Sequence, residues 1–285
     1  MLPRRPFPIG GRGATLLVIA AVAWLAARWL DLELTGLVPR ESGRILARDL
    51  FGAALHPALG YQTEVPPGTP AFGVKIASAL WSTILVAAAA MSLALPGGVL
   101  LGALSSDIFW IRGASSGKER VAAAWRVLQV GARVLASMLR AVHELLWAVL
   151  FLAAIGLSSA SAVIAIALPF TGVIAKVTSE LFDEAPRTPW RALRLAGAGP
   201  SAAWAVGIAP AALPDALAYG FYRFECALRS AAVLGFFGVP TIGMAVAQSF
   251  ENLQYQEMWT YLYSLVALVL VAERISATAR RRLRT

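Results

Sequence analysis

Residues 215–230 read DALAYGFYRFECALRS, a charged stretch inside a chain that is otherwise apolar. At 100° per residue on a helix, its polar side chains share an arc of about 160°. They are Asp215, Tyr219, Tyr222, Arg223, Glu225, Cys226, Arg229 and Ser230, with Leu217, Phe221, Phe224 and Leu228 opposite. An Arg inside a membrane span costs about 2.5–3.5 kcal/mol on insertion scales. We therefore expect this helix to face a polar path or a partner helix rather than lipid, which favours a transport function.

The composition is that of a membrane protein. The 285 residues are 58% hydrophobic and 14% charged, whereas soluble domains are about 45–50% apolar and about 25% charged. Hydrophobic stretches recur at 14–30, 74–104, 141–157, 160–177, 202–222 and 258–272. Because a helix needs about 20 apolar residues to span a bilayer, the sequence predicts an all-α protein with about six transmembrane helices. The run 231–249, which three glycines and Pro240 interrupt, predicts short helices or a re-entrant segment buried in protein.

The basic residues predict the orientation in the membrane. Most of the 25 lysines and arginines fall at 4–12, 112–140, 176–194 and 274–284, on one side of a six-span arrangement. The positive-inside rule makes that side cytoplasmic, so we expect a multi-pass protein of the inner (plasma) membrane with both termini in the cytoplasm. Topology accounts for the net charge of +9, and no nucleic-acid partner is predicted. We interpret the first span as a retained signal anchor, with a cleaved signal peptide as the alternative.

The chain is predicted to have two parts. Residues 1–73 would form a cytoplasmic tail, the first transmembrane helix and a periplasmic loop, and residues 74–285 the membrane core. The cytoplasmic segment 178–201 reads TSELFDEAPRTPWRALRLAGAGPS. A short helix from Trp190 to Ala196, ended by a glycine turn, is predicted within it. Such a helix between two spans is suited to docking, and a plain loop is the alternative.

No catalytic or cofactor site can be assembled from the sequence. The single cysteine excludes an internal disulfide, and the two histidines lack metal-ligand spacing. The segment 111–120, IRGASSGKER, has three residues between its glycines where a phosphate-binding loop needs four. We therefore predict a chain that is not an enzyme and binds no metal, cofactor or nucleotide. Its energy source would be a partner or an ion gradient.

Several residues are candidates for a translocation path or a gate. The path candidates are Arg223, Glu225, Arg229, Tyr219 and Tyr222, and the gate candidates are His143, Glu144, Gly235, Gly238 and Gly243. Glu225 and Arg229 are four residues apart and can neutralise each other, which would leave Arg223 uncompensated. The alternative is that these charges tie helices together or reach the interface.

The flank before the third hydrophobic stretch is basic. Arg126, Arg133 and Arg140 recur every seven residues and form a stripe that could lie against anionic lipid headgroups. A solvated helix flank is the alternative. Glu144 follows Arg140 by four residues and could pair with it.

The pattern at 190–214 resembles the motif of inner-membrane permeases of binding-protein-dependent ABC importers. That motif runs Glu-Ala-Ala, three residues, Gly, nine residues, Ile, one residue, Leu-Pro. The matching positions here are Arg191, Ala192, Leu193, Gly197, Gly207, Ala209 and Pro210. Arg replaces the Glu, Gly the Ile and Ala the Leu. The segments 140–151, 171–184 and 218–243 resemble the phosphonate-transporter permease subfamily, most specifically at Tyr222–Gly235.

The resemblance implies a fold, partners and a cargo. The fold would be the methionine-importer-like, type I ABC importer permease fold, in a homodimer around a central path. Two cytoplasmic ATPase subunits, which bind the ATP and magnesium, would dock on 190–199 through Arg191, Ala192, Leu193, Gly197 and Pro210. A periplasmic binding protein would deliver phosphonate or a related phosphorus oxyanion, such as phosphite or a phosphate ester. Another small anion, a gradient-driven carrier and a non-transport membrane scaffold remain alternatives.

Overall fold

The computed structural model describes residues 11–31, 41–110 and 119–283, and within these ranges all regular structure is helical. The chain divides into two units, Met1–Leu55 and His56–Thr285. The first unit contains α1 (Gly11–Trp29) and α2 (Glu41–Ala54). This division lies before the predicted one at residue 73. The loop that follows His56 belongs to the second unit, in which Ala58 N donates a hydrogen bond to Gln256 O at 3.2 Å.

The second unit is a helical bundle. Its helices are α3 (Phe72–Ser105), α4 (Asp107–Trp110), α5 (Glu119–Ala141), α6 (Glu144–Ile155), α7 (Ser159–Glu184), α8 (Thr188–Leu195), α9 (Pro200–Gly207), α10 (Ala209–Leu234), α11 (Ile242–Glu251) and α12 (Tyr255–Leu283). A 3-10 turn, Gly235–Phe237, follows α10, so the run 231–249 consists of a helix end, this turn and a short helix, as predicted.

Three of the described helices are long and apolar enough to cross a membrane, and two bent pairs raise the number to five if each is one span. The three are α3, α7 and α12. One pair joins α5 to α6 through an 87° bend, and the other joins α9 to α10 through a 53° bend. The apolar part of α1, Gly13–Trp29, is shorter. Beside the prediction of about six transmembrane helices, the described ranges therefore hold three candidate spans, two bent pairs and one shorter apolar helix.

The bend between α5 and α6 has a local cause. His143 adopts an extended conformation (φ −66°, ψ 146°), and its Nδ1 accepts a hydrogen bond from Leu145 N at 3.3 Å. It therefore acts as the N-cap of a new helix. The predicted stretch 141–157 is consequently not one helix, and α6 has 12 residues.

The centre of the bundle is the contact between α3 and α7, which small residues make possible. A Cβ at Gly98 would lie 2.5 Å from Ile174 Cγ2, and one at Gly102 would collide with Thr178 Oγ1. Ala87, Ala90 and Ala94 of α3 are fully buried in the same core. Helices with small contact residues approach closely, which strengthens van der Waals packing where lipid provides no hydrophobic drive.

The C-terminal ends of α3 and α7 meet at one end of the bundle. Asp183 Oδ1 accepts hydrogen bonds from Ser106 Oγ at 2.7 Å and from Ile108 N at 3.0 Å. The start of α8 lies five residues beyond Asp183. The start of α3 is therefore at the opposite end of the bundle, where the Phe72 and Tyr261 rings lie 5.6 Å apart.

The predicted basic stripe of α5 is divided by the structure. Arg133 donates through Nε to Ser105 O at 2.8 Å and pairs through Nη2 with Asp107 Oδ1 at 2.9 Å. Arg133 is exposed, but its guanidinium is bonded to the residues at the end of α3. Arg112 and Lys118 of the same basic group, and the glycine-containing segment 111–118, lie outside the described residues.

Replacing Gly102 by Ala tests the α3–α7 contact. The added methyl group would meet Thr178 Oγ1 and lie 2.8 Å from Ala175 O, so we expect a loss of about 1–3 kcal/mol of stability. Gly131→Ala in α5 is the control, because a Cβ there meets nothing within 4 Å. The measurement is the thermal midpoint and monodisperse yield in detergent, and equal behaviour of the two variants would contradict the packing argument.

Candidate functional site

The helix α8 is the exposed element predicted for docking. Arg191 and Ala192 are exposed, and Leu195 is 89% exposed. The helix ends at Gly197 (φ +88°), where Gly197 N donates to Arg194 O and Ala198 N donates to Leu193 O. This pair of bonds is a Schellman motif, and its left-handed residue favours glycine. The structure therefore forms the predicted short helix, beginning two residues earlier than expected.

The helix α8 is held to the bundle through Trp190. A Cβ at Gly207 would lie 2.8 Å from Trp190 N and 3.0 Å from Trp190 Cα. The departure from Ile at this motif position thus has a physical reason: the backbone of α8 crosses α9 too closely for any side chain at residue 207. Trp190 also packs against a buried cluster that includes Phe182 and Ile208.

An aromatic cluster beneath α8 joins three further elements. The Trp204 ring of α9 lies edge-on to Phe109 of α4 at 5.1 Å and to Phe182 of α7 at 5.0 Å. Such ring pairs add about 0.5–1.5 kcal/mol each beyond their burial. A displacement of α8 would therefore be transmitted to α9 and to the end of α7. Pro210 lies in the first turn of α10, directly after this contact.

The surface of α8 is positively charged. Arg187, Arg191 and Arg194 lie between Pro186 and Gly199, and this interval has no acidic residue. Arg194 Nη1 donates to Ala198 O at 2.8 Å, so its guanidinium closes the end of the helix. Arg187 and Arg191 are exposed and give the surface of α8 its positive charge.

The charged face of α10 is paired differently from the prediction. Glu225 is 5% exposed, and its Oε1 lies 2.9 Å from Nη1 of Arg280 in α12. Arg280 Nη1 also donates to Ser276 Oγ at 2.6 Å. The predicted Glu225–Arg229 pair is therefore wrong. A buried carboxylate needs a close partner charge, and α12 supplies it, while Arg229 is exposed.

The side chain of Arg223 extends from α10 to α7. Its guanidinium carbon is 4.4 Å from the centroid of the Phe170 ring, a cation–π contact. Its Nε is buried without a hydrogen-bond partner in the described part of the chain. Among the described residues neither Arg223 nor Arg229 forms an ion pair, so α10 presents two uncompensated cations rather than the one predicted.

Tyr219 and Tyr222 border a cavity of about 470 Å³ between α7, α10 and α12. Their ring centroids are 6.1 Å apart, and Asp215 and Arg280 line the same cavity. The structure thus brings together two of the predicted path residues. Arg280 was missed as a site residue because the sequence places it in the basic terminal cluster, and no local pattern distinguishes it there.

The predicted gate residues occupy two places. Glu144 Oε1 accepts from Ser230 Oγ at 2.9 Å, and its Oε2 lies 3.5 Å from His143 Nε2. The suggested Arg140–Glu144 pair is not formed, because the 87° bend takes Arg140 and Glu144 onto different helices. Glu144 instead connects α6 to α10.

The three glycines after α10 form a tight helical hairpin. A Cβ at Gly243 would collide with Ala232 O, and one at Gly235 with Met244 N. Gly238 has φ +92°. These residues allow α11 to fold back against the end of α10, so their visible contribution is packing geometry.

The fold is that of an ABC transporter membrane subunit. The structure aligns with that of the MetNI methionine ABC transporter in an inward-facing conformation with a TM-score of 0.59, covering 74% of this chain and 97% of that one at 17% identity. The methionine-importer-like fold expected from the sequence is therefore confirmed.

Residues 121–284 match the family described as binding-protein-dependent transport system inner membrane component, and this chain belongs to that family. It is 31% identical over 150 residues to the phosphite transport system permease protein PtxC of Stutzerimonas stutzeri, covering 53% of this chain and 54% of that protein. It is 27% identical over 235 residues to the phosphate-import permease protein PhnE of Mycolicibacterium smegmatis, covering 80% and 40%. The chain spans about half the length of these curated relatives.

A substitution at Gly207 tests how α8 is anchored. In Gly207→Ala, the methyl group would press on the Trp190 backbone, so we expect amide exchange in 190–196 to rise about fivefold or more, equivalent to about 1 kcal/mol of local stability. Gly199→Ala is the matched control, because its Cβ meets nothing within 4 Å. Unchanged exchange in both variants would refute the close crossing.

The buried ion pair generates a second prediction. Glu225→Gln should destabilise the protein by about 3–5 kcal/mol, because Arg280 is left without its partner charge. The matched control is Glu180→Gln, whose pair with Lys176 at 2.8 Å is exposed and should contribute about 0–1 kcal/mol. Thermal unfolding in detergent measures both, and an equal shift in midpoint would contradict the assignment.

Proposed function

We propose that this chain is the transmembrane subunit of an ATP-driven importer for phosphonate or a related phosphorus oxyanion such as phosphite or a phosphate ester. The observation that carries the proposal is α8, an exposed, positively charged helix rigidly anchored between α7 and α9 in a member of this permease family. The names of the relatives, which are phosphite and phosphate permeases, support the cargo class.

The proposed partners follow from this role. Two cytoplasmic ATPase subunits would dock on α8 and carry the ATP and magnesium, a periplasmic binding protein would deliver cargo, and a second copy of this chain would complete the path. The chain itself would supply no catalytic group and hold no cofactor. It would lie in the inner membrane with both termini in the cytoplasm, since its basic clusters favour that orientation.

The geometry gives this role a mechanical route. A push on α8 reaches α9 through the Trp190–Gly207 crossing, where backbone meets backbone without a compliant side chain. From α9 it reaches α10 across the 53° bend at Ile208. The helix α10 carries the path candidates, so ATPase closure at one end would shift the cavity wall at Tyr219 and Tyr222.

The charges of α10 favour an anionic cargo. Arg229 is exposed and Arg223 has no carboxylate partner among the described residues, so this helix retains net positive charge after Glu225 is neutralised by Arg280. Net positive charge on a helix attracts anions to it, although Arg223 and Arg229 are not among the residues that line the cavity at Tyr219 and Tyr222. The same machinery with another small anion is the alternative, and a non-transport membrane scaffold is the alternative class.

The deciding experiment is uptake in vesicles that contain this chain with its cognate ATPase and binding protein. Labelled methylphosphonate, phosphite and phosphate are compared with and without ATP. We expect ATP-dependent entry of at least one of them. Assembly of the complex without ATP-dependent entry of any would refute the proposal and favour a scaffold.

A charge substitution in α10 tests anion handling in the same vesicles. Arg229→Gln should reduce uptake about fivefold, the effect of about 1 kcal/mol of lost attraction, without changing the thermal midpoint, because Arg229 is exposed and unpaired among the described residues. Arg229→Lys keeps the charge and should restore uptake. Normal uptake by the Gln variant, or failure of the Lys variant, would exclude an electrostatic role.

A further inference from the structure

A second cavity, of about 300 Å³, lies at the end of the bundle opposite α8. It is bordered by the first turns of α3 and by the link between α10 and α11. The polar residues in its wall are Lys75, Ser78, Thr241 and Gln248. Of the path candidates on α10, Tyr219 and Tyr222 line the other cavity, and none lines this one.

Lys75 gives this cavity a positive charge that no acid in the described part of the chain pairs with. Its Nζ lies 5.4 Å from the centroid of the Tyr61 ring and 5.9 Å from that of Tyr261. No carboxylate among the described residues is within ion-pair distance of it. Glu257, which precedes Tyr261 by one helical turn, accepts a hydrogen bond from Gln62 N at 2.6 Å. Cation–π contacts hold the ammonium in place but leave its charge available.

The link before α11 adds an unsatisfied hydroxyl and a helix N-terminus. Thr241 is 2% exposed, and its Oγ1 has no hydrogen-bond partner in the described part of the chain. It is the N-cap of α11, a helix of 10 residues, so the positive end of the helix dipole lies at this wall. Ile242 N donates to Thr83 Oγ1 at 3.0 Å, which fixes the link against α3.

We infer that this cavity is the receiving site for a phosphorus oxyanion on the side of the membrane away from the ATPases. Lys75 supplies the charge and the Gln248 amide supplies an uncharged donor, whereas the Ser78 hydroxyl is already donated to Lys75 O at 2.9 Å, so the anion is attracted without a bidentate clamp. A transit site must bind well enough to admit an ion and weakly enough to release it. This inference rests on the proposed function and assigns to it an entry point that precedes the α10 path.

Site-selective acetylation tests the site directly. The chain has three lysines, Lys75, Lys118 and Lys176, so mass spectrometry can follow each separately. In neutral detergent without anionic lipid, we expect methylphosphonate or phosphite to slow acetylation of Lys75 at least threefold. Lys176, which is paired with Glu180 on α7, is the internal control and should be unaffected.

Two further arms make the result specific. Equal protection of Lys75 by sulfate would overturn the assignment to phosphorus oxyanions. Phosphatidylglycerol presents the same phosphate chemistry from a lipid headgroup, and protection by this lipid but not by soluble phosphite would overturn the entry site. Absence of any protection would also overturn it.

Transport kinetics separate this inference from the proposed function. In vesicles with ATPase and binding protein, Lys75→Gln should raise the KM for uptake about fivefold with kcat unchanged, and Lys75→Arg should restore it. Lys176→Gln is the matched control. If the wild-type protein transports and Lys75→Gln has an unchanged KM, the entry site is refuted and the importer proposal stands. If the wild-type protein shows no uptake, the importer proposal itself is refuted.

Discussion

The close contact of α3 with α7 is the constraint on which the rest of the structure depends. Lipid offers no hydrophobic drive for helix association, so the two helices are held by the fit of Gly98 and Gly102 against Ile174 and Thr178. This fit sets their axial register. In that register Asp183 reaches the backbone and hydroxyl groups that follow α3. The same register places α8 at one end of the bundle and Lys75 at the other.

The two ends of the bundle differ in how firmly their functional elements are held. The helix α8 rests on a backbone-to-backbone crossing and on a cluster of aromatic rings, which resist compression and transmit displacement. At the other end, Lys75 is held by two ring faces, and Thr241 keeps an unsatisfied hydroxyl. In the proposed importer, the firmly held helix α8 would receive the motion of the ATPases, and the polar cavity at the other end would receive the cargo.

The buried charges illustrate what helical spacing can and cannot predict. The spacing of Glu225 and Arg229 suggested a pair, yet Glu225 bonds to Arg280, which is 55 residues away. Likewise Glu144 binds Ser230 rather than Arg140. In both cases helical spacing offered a partner four residues away, but the carboxylate bonds to a side chain on a neighbouring helix. A carboxylate removed from water takes the partner that shares its burial, and sequence periodicity does not contain that information.

The sequence by itself determined the class of the molecule, since apolar stretches of spanning length and a one-sided basic distribution leave a multi-span helical protein as the physical solution. It also determined the short helix α8 and its glycine turn, because proline and glycine act on the local backbone. Only the tertiary structure decided the need for Gly207, the Glu225–Arg280 pair and the cavity around Lys75. Each of these depends on contact between segments distant in the chain, and local propensity cannot specify which of them meet.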